Sequence, residues 1–339
     1  MMEGVSTRLQ KEIDSISQKI EENLLSFFDK LPKDGLTNII RYHMGWLNKD
    51  FKAENSYKGK RLRSILCSLI CKIAGGDVEK SYSAGMALEL THNFSLVHDD
   101  IQDKDLFRRG RETVWSIWGV AQGINVGDAM ISLAHKAILD SDLDYYKKYR
   151  LIDILDTAIF KLCQGQFMDV SFEESEDVEI EEYLLMVQGK TCSMFEASVE
   201  MGIVLAEREE LIDQFIFIAR NLGLGFQILD DVLGLWGDPK VTGKPVGSDL
   251  RQNKKTYPIL LGLKEKPEVR GVILNKNKTD RDIEYLIQLF ESSGIKDSCK
   301  DRAVYYLSKA RETIGNLPLE KDNIELLLEL IHYLENREK

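Results

Sequence analysis

Apolar residues recur every three or four positions over long stretches of this chain, the spacing of helices that bury one face. Between residues 81 and 100 they stand at Ala84, Ala87, Leu88, Leu90, Phe94 and Val97. The same spacing is found in 152–163, 184–205 and 212–232, and no comparable run alternates with period two. No proline occurs between Pro32 and Pro239. Because proline breaks helices, the pattern predicts many long helices and no substantial sheet.

Length and composition fit a globular protein of this kind. The chain has 339 residues, of which 43% are hydrophobic and 30% charged, and it contains no low-complexity block. We therefore expect a single domain spanning residues 1–339. Its predicted fold is an all-α bundle of ten or more helices around a central active-site cavity.

The net charge of −11 argues against polyanionic partners such as nucleic acids. No segment approaches the roughly 20 apolar residues of a membrane span, and the first twenty residues lack the apolar core of a signal peptide. The five cysteines form no CxxC pair. We interpret them as reduced thiols, which favours a cytoplasmic location.

An acidic cluster lies at the C-terminal end of the predicted helix that carries Phe94. Asp99 and Asp103 are four residues apart and share a helical face, with Asp100 beside them. Carboxylates this close favour a hard cation, and Mg²⁺ combines one or two carboxylates with water and phosphate oxygens. Arg108 and Arg109 follow, and guanidinium groups bind phosphate bidentately. The segment predicts a metal–diphosphate site; a solvated acidic helix end or a set of Asp–Arg ion pairs is the alternative.

A second pair of acidic residues followed by basic residues occurs later in the chain. Asp230 and Asp231 end an amphipathic helix, and an irregular segment with Lys244 and then Lys254 follows. Lysines act as point charges on phosphate, and glycines let a loop approach a ligand closely. A solvated acidic turn with surface lysines is the alternative.

Other basic residues lie apart from the acidic segments. Lys60 and Arg63 stand three apart on one helical face, and His92 lies two turns before Asp99. Lys190 sits in an apolar stretch, where a lysine is costly to bury without an anion. A solvated basic face, a core histidine and a snorkelling lysine are the respective alternatives.

Together these segments resemble the trans-isoprenyl diphosphate synthase (polyprenyl synthetase) family, most closely its bacterial short-chain geranylgeranyl and farnesyl diphosphate synthases. The resemblance runs from about residue 59 to residue 258 and rests on GKRLR, ELTHNFSLVHDDIQDKDLFRRG, QGKT and GFQILDDVLGLWGDPKVTGKPVGSDLRQNKKTYP. It implies a Mg²⁺-dependent, homodimeric prenyltransferase that condenses isopentenyl diphosphate with an allylic diphosphate and releases diphosphate. A class I terpene cyclase and a non-catalytic subunit of a heteromeric synthase are the alternatives.

Position by position, the resemblance implies the following roles. The catalytic residues are Asp99, Asp100, Asp103, Lys190 and Asp230. Asp99, Asp100 and Asp103 hold two Mg²⁺ ions, and Asp230, with Asp231 near it, holds a third. The allylic substrate contacts Arg108, Lys190, Thr191, Gln227, Lys244 and Lys254. Isopentenyl diphosphate binds Lys60, Arg63, His92 and Arg109.

Three positions depart from the family's pattern. Gly234 stands where many members have a third Asp of the second acidic motif, which weakens the analogy for the outer shell of the third metal. Ser64 and Glu112 each replace a usual proline and leave the catalytic residues unchanged.

Product length is expected to depend on the residues before Asp99. In the family, a bulky residue four or five positions before the first Asp shortens the product, and here those residues are Ser95 and Phe94. Five helical residues rise about 7.5 Å, roughly one or two isoprene units. The single aromatic, Phe94, predicts a mainly twenty-carbon product, geranylgeranyl diphosphate, with a farnesyl or longer chain as the alternative. Phe94 could instead be ordinary core packing, with the tunnel floor set by neighbouring helices.

Overall fold

The protein is described by a computed structural model over residues 7–54, 56, 59–237 and 246–335. Lys244, predicted to contact the allylic diphosphate, lies outside the described residues. Within these ranges, regular structure is helical apart from one hairpin of two-residue strands, so the prediction of an all-α fold with ten or more helices is confirmed.

The first part of the chain forms α1 (Thr7–Asp29), α2 (Gly35–His43), α3 (Leu62–Ile73), α4 (Tyr82–Gln102), β1 (Phe107–Arg108), β2 (Arg111–Glu112), α5 (Val114–Trp118), α6 (Val120–Leu139) and α7 (Tyr145–Glu174). The remainder forms α8 (Ile180–Val187), a π-helical turn (Gln188–Cys192), α9 (Ser193–Leu205), α10 (Ile212–Trp236), α11 (Ser248–Arg251), α12 (Tyr257–Glu265), α13 (Arg270–Leu274), α14 (Asp280–Ser292), α15 (Ile295–Gly315) and α16 (Lys321–Glu335). Short 3₁₀ turns occur at Val78–Ser81, Glu209–Leu211 and Pro267–Val269.

The chain divides into two compact units. Residues 7–159 and 197–212 form what we call the first unit. The described residues of 160–196 and 213–339 form the second unit. A single domain over residues 1–339 stays a prediction.

In the first unit, α4 packs most extensively against α6. Gly123 and Gly127 lie one turn apart on the contacting face of α6. A methyl group added at Gly123 would lie 2.7 Å from Cδ1 of Ile101, and one at Gly127 would lie 2.1 Å from Nε2 of His98. Because neither glycine has a side chain, α6 approaches the last turns of α4 closely, and these turns carry the acidic cluster.

The second unit has its own apolar core, drawn from α8, α10, α12, α14 and α15. Its fully buried members include Tyr183, Ile228, Leu286, Phe290 and Cys299. This core packs against the C-terminal half of α10, whose last turns carry Asp230 and Asp231. The end of α10, which carries the second acidic motif, is therefore held in place by packing against this apolar core.

Two expectations drawn from composition can be compared with the structure. None of the five cysteines is in a disulfide, and only Cys163 is exposed. The cytoplasmic location stays a prediction. Across the ranges given above, no helix combines the length and apolar character needed to cross a membrane.

Candidate active site

The acidic end of α4 places its carboxylates in two environments. Asp99 and Asp103 are half-buried. The backbone N–H of Asp103 donates to the Asp99 carbonyl oxygen at 2.8 Å, so the helical geometry reaches Asp103. The two side chains therefore stand on one face, one turn apart. Asp100, by contrast, is only 1% exposed.

The Asp100 carboxylate is paired with Arg108, whose Nε donates to Oδ1 at 2.6 Å. Burial raises the pKa of Asp100 to about 6, although the nearby Arg108 charge acts in the opposite direction. The second oxygen, Oδ2, is buried and makes no hydrogen bond within the described residues. A cation or a donor near this oxygen would relieve the cost of its burial, which fits the predicted role of the cluster in binding Mg²⁺.

A closed metal cage is not seen among the described residues. Their His, Cys, Asp and Glu side chains form no group of three or more that is placed to hold an ion. Mg²⁺ does not require such a cage, because at phosphate sites it usually keeps water and phosphate oxygens among its ligands. The half-buried pair of Asp99 and Asp103 suits this open mode of binding.

The β1–β2 hairpin brings three arginines together directly after the acidic cluster. Its register pairs Arg108 with Arg111. The two residues between them, Arg109 and Gly110, both have positive φ, at 53° and 75°. Positive φ at both central residues defines a type I′ turn, whose twist matches that of paired strands. The segment after the acidic cluster is therefore a tight hairpin.

The four basic residues predicted to bind isopentenyl diphosphate all belong to the first unit. Nη1 of Arg63 lies 3.4 Å from Nε2 of His92. The guanidinium of Arg109 lies against Gly59, where an added methyl group would be 2.8 Å from Nη2. Gly59 directly precedes Lys60, so Arg109 contacts the same loop that carries the lysine.

Burial and neighbouring arginines disfavour protonation of two histidines in this basic region. Burial, together with the charges of Arg63 and Arg109, holds the pKa of His92 well below its usual value. Burial and the charges of Arg109 and Arg108 lower the pKa of His43 to about 3. His43, at the end of α2, lines a cavity with these two arginines. The guanidinium charges that disfavour a proton on these imidazoles would attract an anion such as diphosphate.

The residues predicted to limit product length are both buried on α4. Phe94 is 3% exposed, and its ring packs edge-to-face on His98 with centroids 5.6 Å apart. The hydroxyl of Ser95 donates to the His92 carbonyl at 2.8 Å, so its own helix satisfies it. Phe94 is therefore the one of the two that fills space.

In the second unit, Lys190 and Thr191 lie in the π-helical turn that joins α8 to α9. Such turns often occur at functional sites. The turn packs closely against α7 at two glycines. A methyl group added to Gly165 would lie 2.1 Å from the Lys190 backbone nitrogen, and one added to Gly189 would lie 2.7 Å from the Lys161 carbonyl oxygen. The Lys190 ammonium donates to Asp169 Oδ2 at 2.5 Å. This carboxylate provides the counter-charge that a lysine in an apolar stretch requires.

The two acids that end α10 differ sharply in environment. Asp230 is exposed, whereas Asp231 is only 5% exposed. Asp231 accepts hydrogen bonds from the Tyr183 hydroxyl at 2.6 Å, the Gln227 amide at 2.9 Å and the Tyr257 backbone N–H at 2.9 Å. Burial still raises its pKa to about 7. These placements favour Asp230 over Asp231 as the metal ligand.

Gln227 links Asp231 to Thr191. Its Oε1 accepts a hydrogen bond from the Thr191 hydroxyl at 2.8 Å, while its Nε2 donates to Asp231. The two bonds fix which end of the amide faces which neighbour. The structure thus brings together two residues predicted to contact the allylic substrate, and Asp231 orients one of them.

The space beside Gly234 is filled by another carboxylate. A methyl group added at Gly234 would lie 2.2 Å from Oδ2 of Asp249. Asp249 therefore occupies the space that a side chain at position 234 would take, and it places a carboxylate beside the last turns of α10. The backbone N–H of Lys254 donates to the Asp249 carbonyl at 3.0 Å, so the predicted phosphate-binding lysine is tied to the same segment.

Comparison with known proteins decides the family. The sequence model of the polyprenyl synthetase family matches residues 45–290. The chain belongs to the polyprenyl synthetase family. It is 33% identical to the (2E,6E)-farnesyl diphosphate synthase of Mycobacterium tuberculosis over 309 residues, which covers 88% of this chain and 86% of the relative. Family membership and the enzyme class, a prenyltransferase, are thereby confirmed.

Solved structures of polyprenyl synthetases have the same fold. Geranylgeranyl pyrophosphate synthetase from Pyrococcus horikoshii matches with a TM-score of 0.86 and 33% identity, over 97% of this chain and 98% of that one. A polyprenyl synthetase from Streptomyces coelicolor matches with a TM-score of 0.89 and 29% identity, over 96% and 99%. Names among the relatives range from farnesyl to geranylfarnesyl diphosphate synthase, so the family alone does not determine product length.

Several residues that shape these sites were not singled out from the sequence. They are Glu21, His43, Asp169, Tyr183 and Asp249. Each contacts or acts on a partner that lies at least 15 positions away in the chain and is brought close only by the fold. No local spacing in the sequence therefore marks these residues. Asp249 stands within a motif that resembles the family, but its contact with Gly234 is visible only in the structure.

Proposed function

We propose that this polyprenyl synthetase joins isopentenyl diphosphate to an allylic diphosphate with the help of Mg²⁺, and that geranylgeranyl diphosphate is its main product. The observation that carries the proposal is the group of four basic residues predicted to bind isopentenyl diphosphate. Within it, Arg63 contacts His92, and Arg109 contacts Gly59, the residue before Lys60. A class I terpene cyclase ionises a single diphosphate and has no need of this cluster. A non-catalytic subunit would be expected to lose acidic or basic site residues, which this chain keeps.

Three Mg²⁺ ions are proposed to serve the allylic diphosphate. Bound Mg²⁺ supplies Lewis-acid chemistry that makes this diphosphate a leaving group. Asp99 and Asp103 are assigned to two ions because both are half-buried on one helical face. Asp230 is assigned to the third because it is exposed. Asp100 instead anchors Arg108, which places a guanidinium beside the acidic cluster.

The reaction requires positioning and charge stabilisation rather than a side-chain nucleophile. The allylic C–O bond ionises, the double bond of isopentenyl diphosphate attacks the cation, and a proton is lost to the departing diphosphate. Lys60, Arg63 and Arg109 bind the diphosphate of the attacking substrate. Thr191 and Gln227 present fixed dipoles to the cation, since each is held by the hydrogen bonds described above.

The partition of basic residues between the two substrates can be tested by kinetics. Lys60→Ala and Arg63→Ala are expected to raise KM for isopentenyl diphosphate roughly 10–100-fold, the effect of losing a hydrogen bond to a charged group. Lys190→Ala is expected to raise KM for the allylic substrate instead. Lys72→Ala, which removes an exposed lysine of α3 paired with Glu12, is the control and should change neither value. If Lys60→Ala and Lys190→Ala weaken the same substrate, the partition is wrong.

Product analysis of the purified chain separates the proposed function from its alternatives. With both substrates and Mg²⁺, a prenyl diphosphate at least five carbons longer than the allylic substrate supports the proposal. A cyclic hydrocarbon formed from the allylic diphosphate alone would indicate a terpene cyclase. Turnover that requires a second, different chain would indicate a non-catalytic subunit.

The proposed homodimer is supported by an apolar stripe on α7. Phe160, Cys163, Phe167 and Val170 recur at steps of three, four and three residues, so they lie on one helical face. All four are exposed, and the phenylalanines are 65% and 75% accessible. Two exposed aromatic rings on one stripe are typical of a surface that a partner covers.

Phe167→Glu is expected to convert a dimer to a monomer at micromolar concentration, because it introduces a charge into the apolar stripe. Light scattering gives the mass directly. Tyr285→Glu, which adds the same charge to another exposed aromatic position on α14, should leave the mass unchanged. A wild-type protein that is already monomeric would rule out the dimer.

A further inference from the structure

The loop that carries Lys60 has an unusual backbone. Gly59 has φ of +78°, and Arg61, the residue before α3, has φ of 49°. A left-handed conformation is easy for glycine but uncommon for arginine. Residues in such conformations persist when surrounding contacts hold them, and they concentrate at functional sites. The contacts of Arg61 therefore show what fixes the loop.

The Arg61 side chain is buried by the N-terminal helix α1. It is only 3% exposed, and its Nη2 forms an ion pair with Oε2 of Glu21. The other oxygen of Glu21 accepts a hydrogen bond from Nε1 of Trp46 at 2.9 Å. A guanidinium removed from water to this extent needs a counter-charge, so Arg61 is fixed to α1.

On the N-terminal side of Lys60, the loop is held by the β1–β2 hairpin. The Arg109 guanidinium lies so close to Gly59 that a methyl group there would be 2.8 Å from Nη2. Lys60 stands between the two contacts in the chain. Arg63 follows in the first turn of α3 and lies 3.4 Å from His92. The residues on either side of Lys60, Gly59 and Arg61, are thus both held by contacts.

We infer that Glu21 is a positioning residue for isopentenyl diphosphate: through Arg61 it holds the loop in the conformation that presents Lys60 and Arg63 to the diphosphate. The inference rests on the proposed function, which assigns Lys60 and Arg63 to that substrate. It gives the N-terminal helix a role in substrate binding, although Glu21 lies outside the segment matched by the family, residues 45–290. Glu21 itself has no contact with substrate in this scheme.

Glu21→Gln keeps the size of the side chain and removes its charge. It is expected to raise KM for isopentenyl diphosphate about tenfold, since a small misplacement of binding groups is costly. The KM for the allylic substrate and kcat at saturating substrates should stay within about twofold. Steady-state kinetics with each substrate varied in turn measure the difference.

Glu12→Gln is the matched control. Glu12 lies on the same helix and pairs with Lys72 of α3 at 2.7 Å, at the end of α3 remote from the loop. Both substitutions therefore break an ion pair between α1 and the α3 segment, but only one of them reaches Lys60. An equal rise in KM for both variants would overturn the inference, because general loosening of α1 would then explain it.

A double variant separates positioning from stability. Replacing a buried ion pair by apolar residues often preserves or restores stability. Glu21→Met with Arg61→Met should therefore bring Tm back toward the wild-type value while KM for isopentenyl diphosphate stays raised. If KM recovers together with Tm, the pair has a structural role only and the inference fails.

Lys60→Ala in the same assays distinguishes failure of the inference from failure of the proposed function. If Lys60→Ala raises KM for isopentenyl diphosphate and Glu21→Gln does not, the inference alone is overturned. If Lys60→Ala leaves KM unchanged, the proposed substrate site is wrong, and the role of Glu21 is overturned with it. A rise in both variants, absent in Glu12→Gln, supports the inference.

Discussion

Asp99→Ala and Asp103→Ala are each expected to lower kcat on the order of a thousandfold or more while leaving the fold intact. Both carboxylates are half-buried at the end of α4, and the buried carboxylate that pairs with Arg108 is that of Asp100. Each substitution removes a ligand that matters most when negative charge develops on the departing diphosphate. The loss should therefore appear in kcat more than in KM.

Steady-state kinetics over a Mg²⁺ titration, with circular dichroism to verify folding, measure this effect. Asp140→Ala is the control: it removes an exposed carboxylate from the end of another helix of the first unit, where Lys136 is its partner. Asp100→Ala is expected to differ from both, since it strips Arg108 of its partner and should lower Tm as well as kcat. Near-normal kcat in Asp99→Ala would reject the assignment of the acidic cluster to metal.

Phe94→Ala is expected to lengthen the product by at least one isoprene unit. The ring is 3% exposed and packs edge-to-face on His98. His98 is itself confined, because α6 contributes no side chain at Gly127 and lies within contact distance of the imidazole. Phe94 is thus fixed in place from α6, and its removal opens a space that neighbouring groups fill only in part.

Mass analysis of products from the wild type and the variant gives the result directly. Phe94→Leu should have a smaller effect in the same direction, since it removes less volume. Phe290→Leu, at a fully buried aromatic position of the second unit, should destabilise without changing product length. An unchanged product distribution in Phe94→Ala would show that other side chains set the length.

His98→Ala provides a second test of whether Phe94 limits product length. If His98 acts by holding Phe94, its replacement should broaden the product distribution toward longer chains. The effect should be absent when Phe94 is already alanine, because contacting residues are energetically coupled. The double variant His98→Ala with Phe94→Ala should then match Phe94→Ala alone.

Local spacing was sufficient to predict the helices and the grouping of the first acidic motif. The 3.6-residue period places Asp99 and Asp103 on one face of any helix that contains them. That relation depends only on backbone geometry, and the structure has it. The absence of proline over a long interior stretch similarly permits long uninterrupted helices, because proline breaks helices.

The environment of each carboxylate could not be read in the same way. Asp99 and Asp100 are neighbours, yet one is half-buried and the other pairs with Arg108 in the interior. Asp230 and Asp231 are likewise adjacent and have opposite exposures. Adjacent residues on a helix point about 100° apart, so the packing around the helix decides which one meets solvent.

The sequence by itself determined the helical fold class, the family and the order of acidic and basic segments, because these depend on periodicity and on short motifs. Only the tertiary structure decided that Glu21 holds Arg61, that Asp249 fills the space beside Gly234 and that Tyr183 supports Asp231. These pairs join residues far apart in the chain. Burial removes competing water from such contacts, so their strength depends on a three-dimensional arrangement that no local pattern encodes.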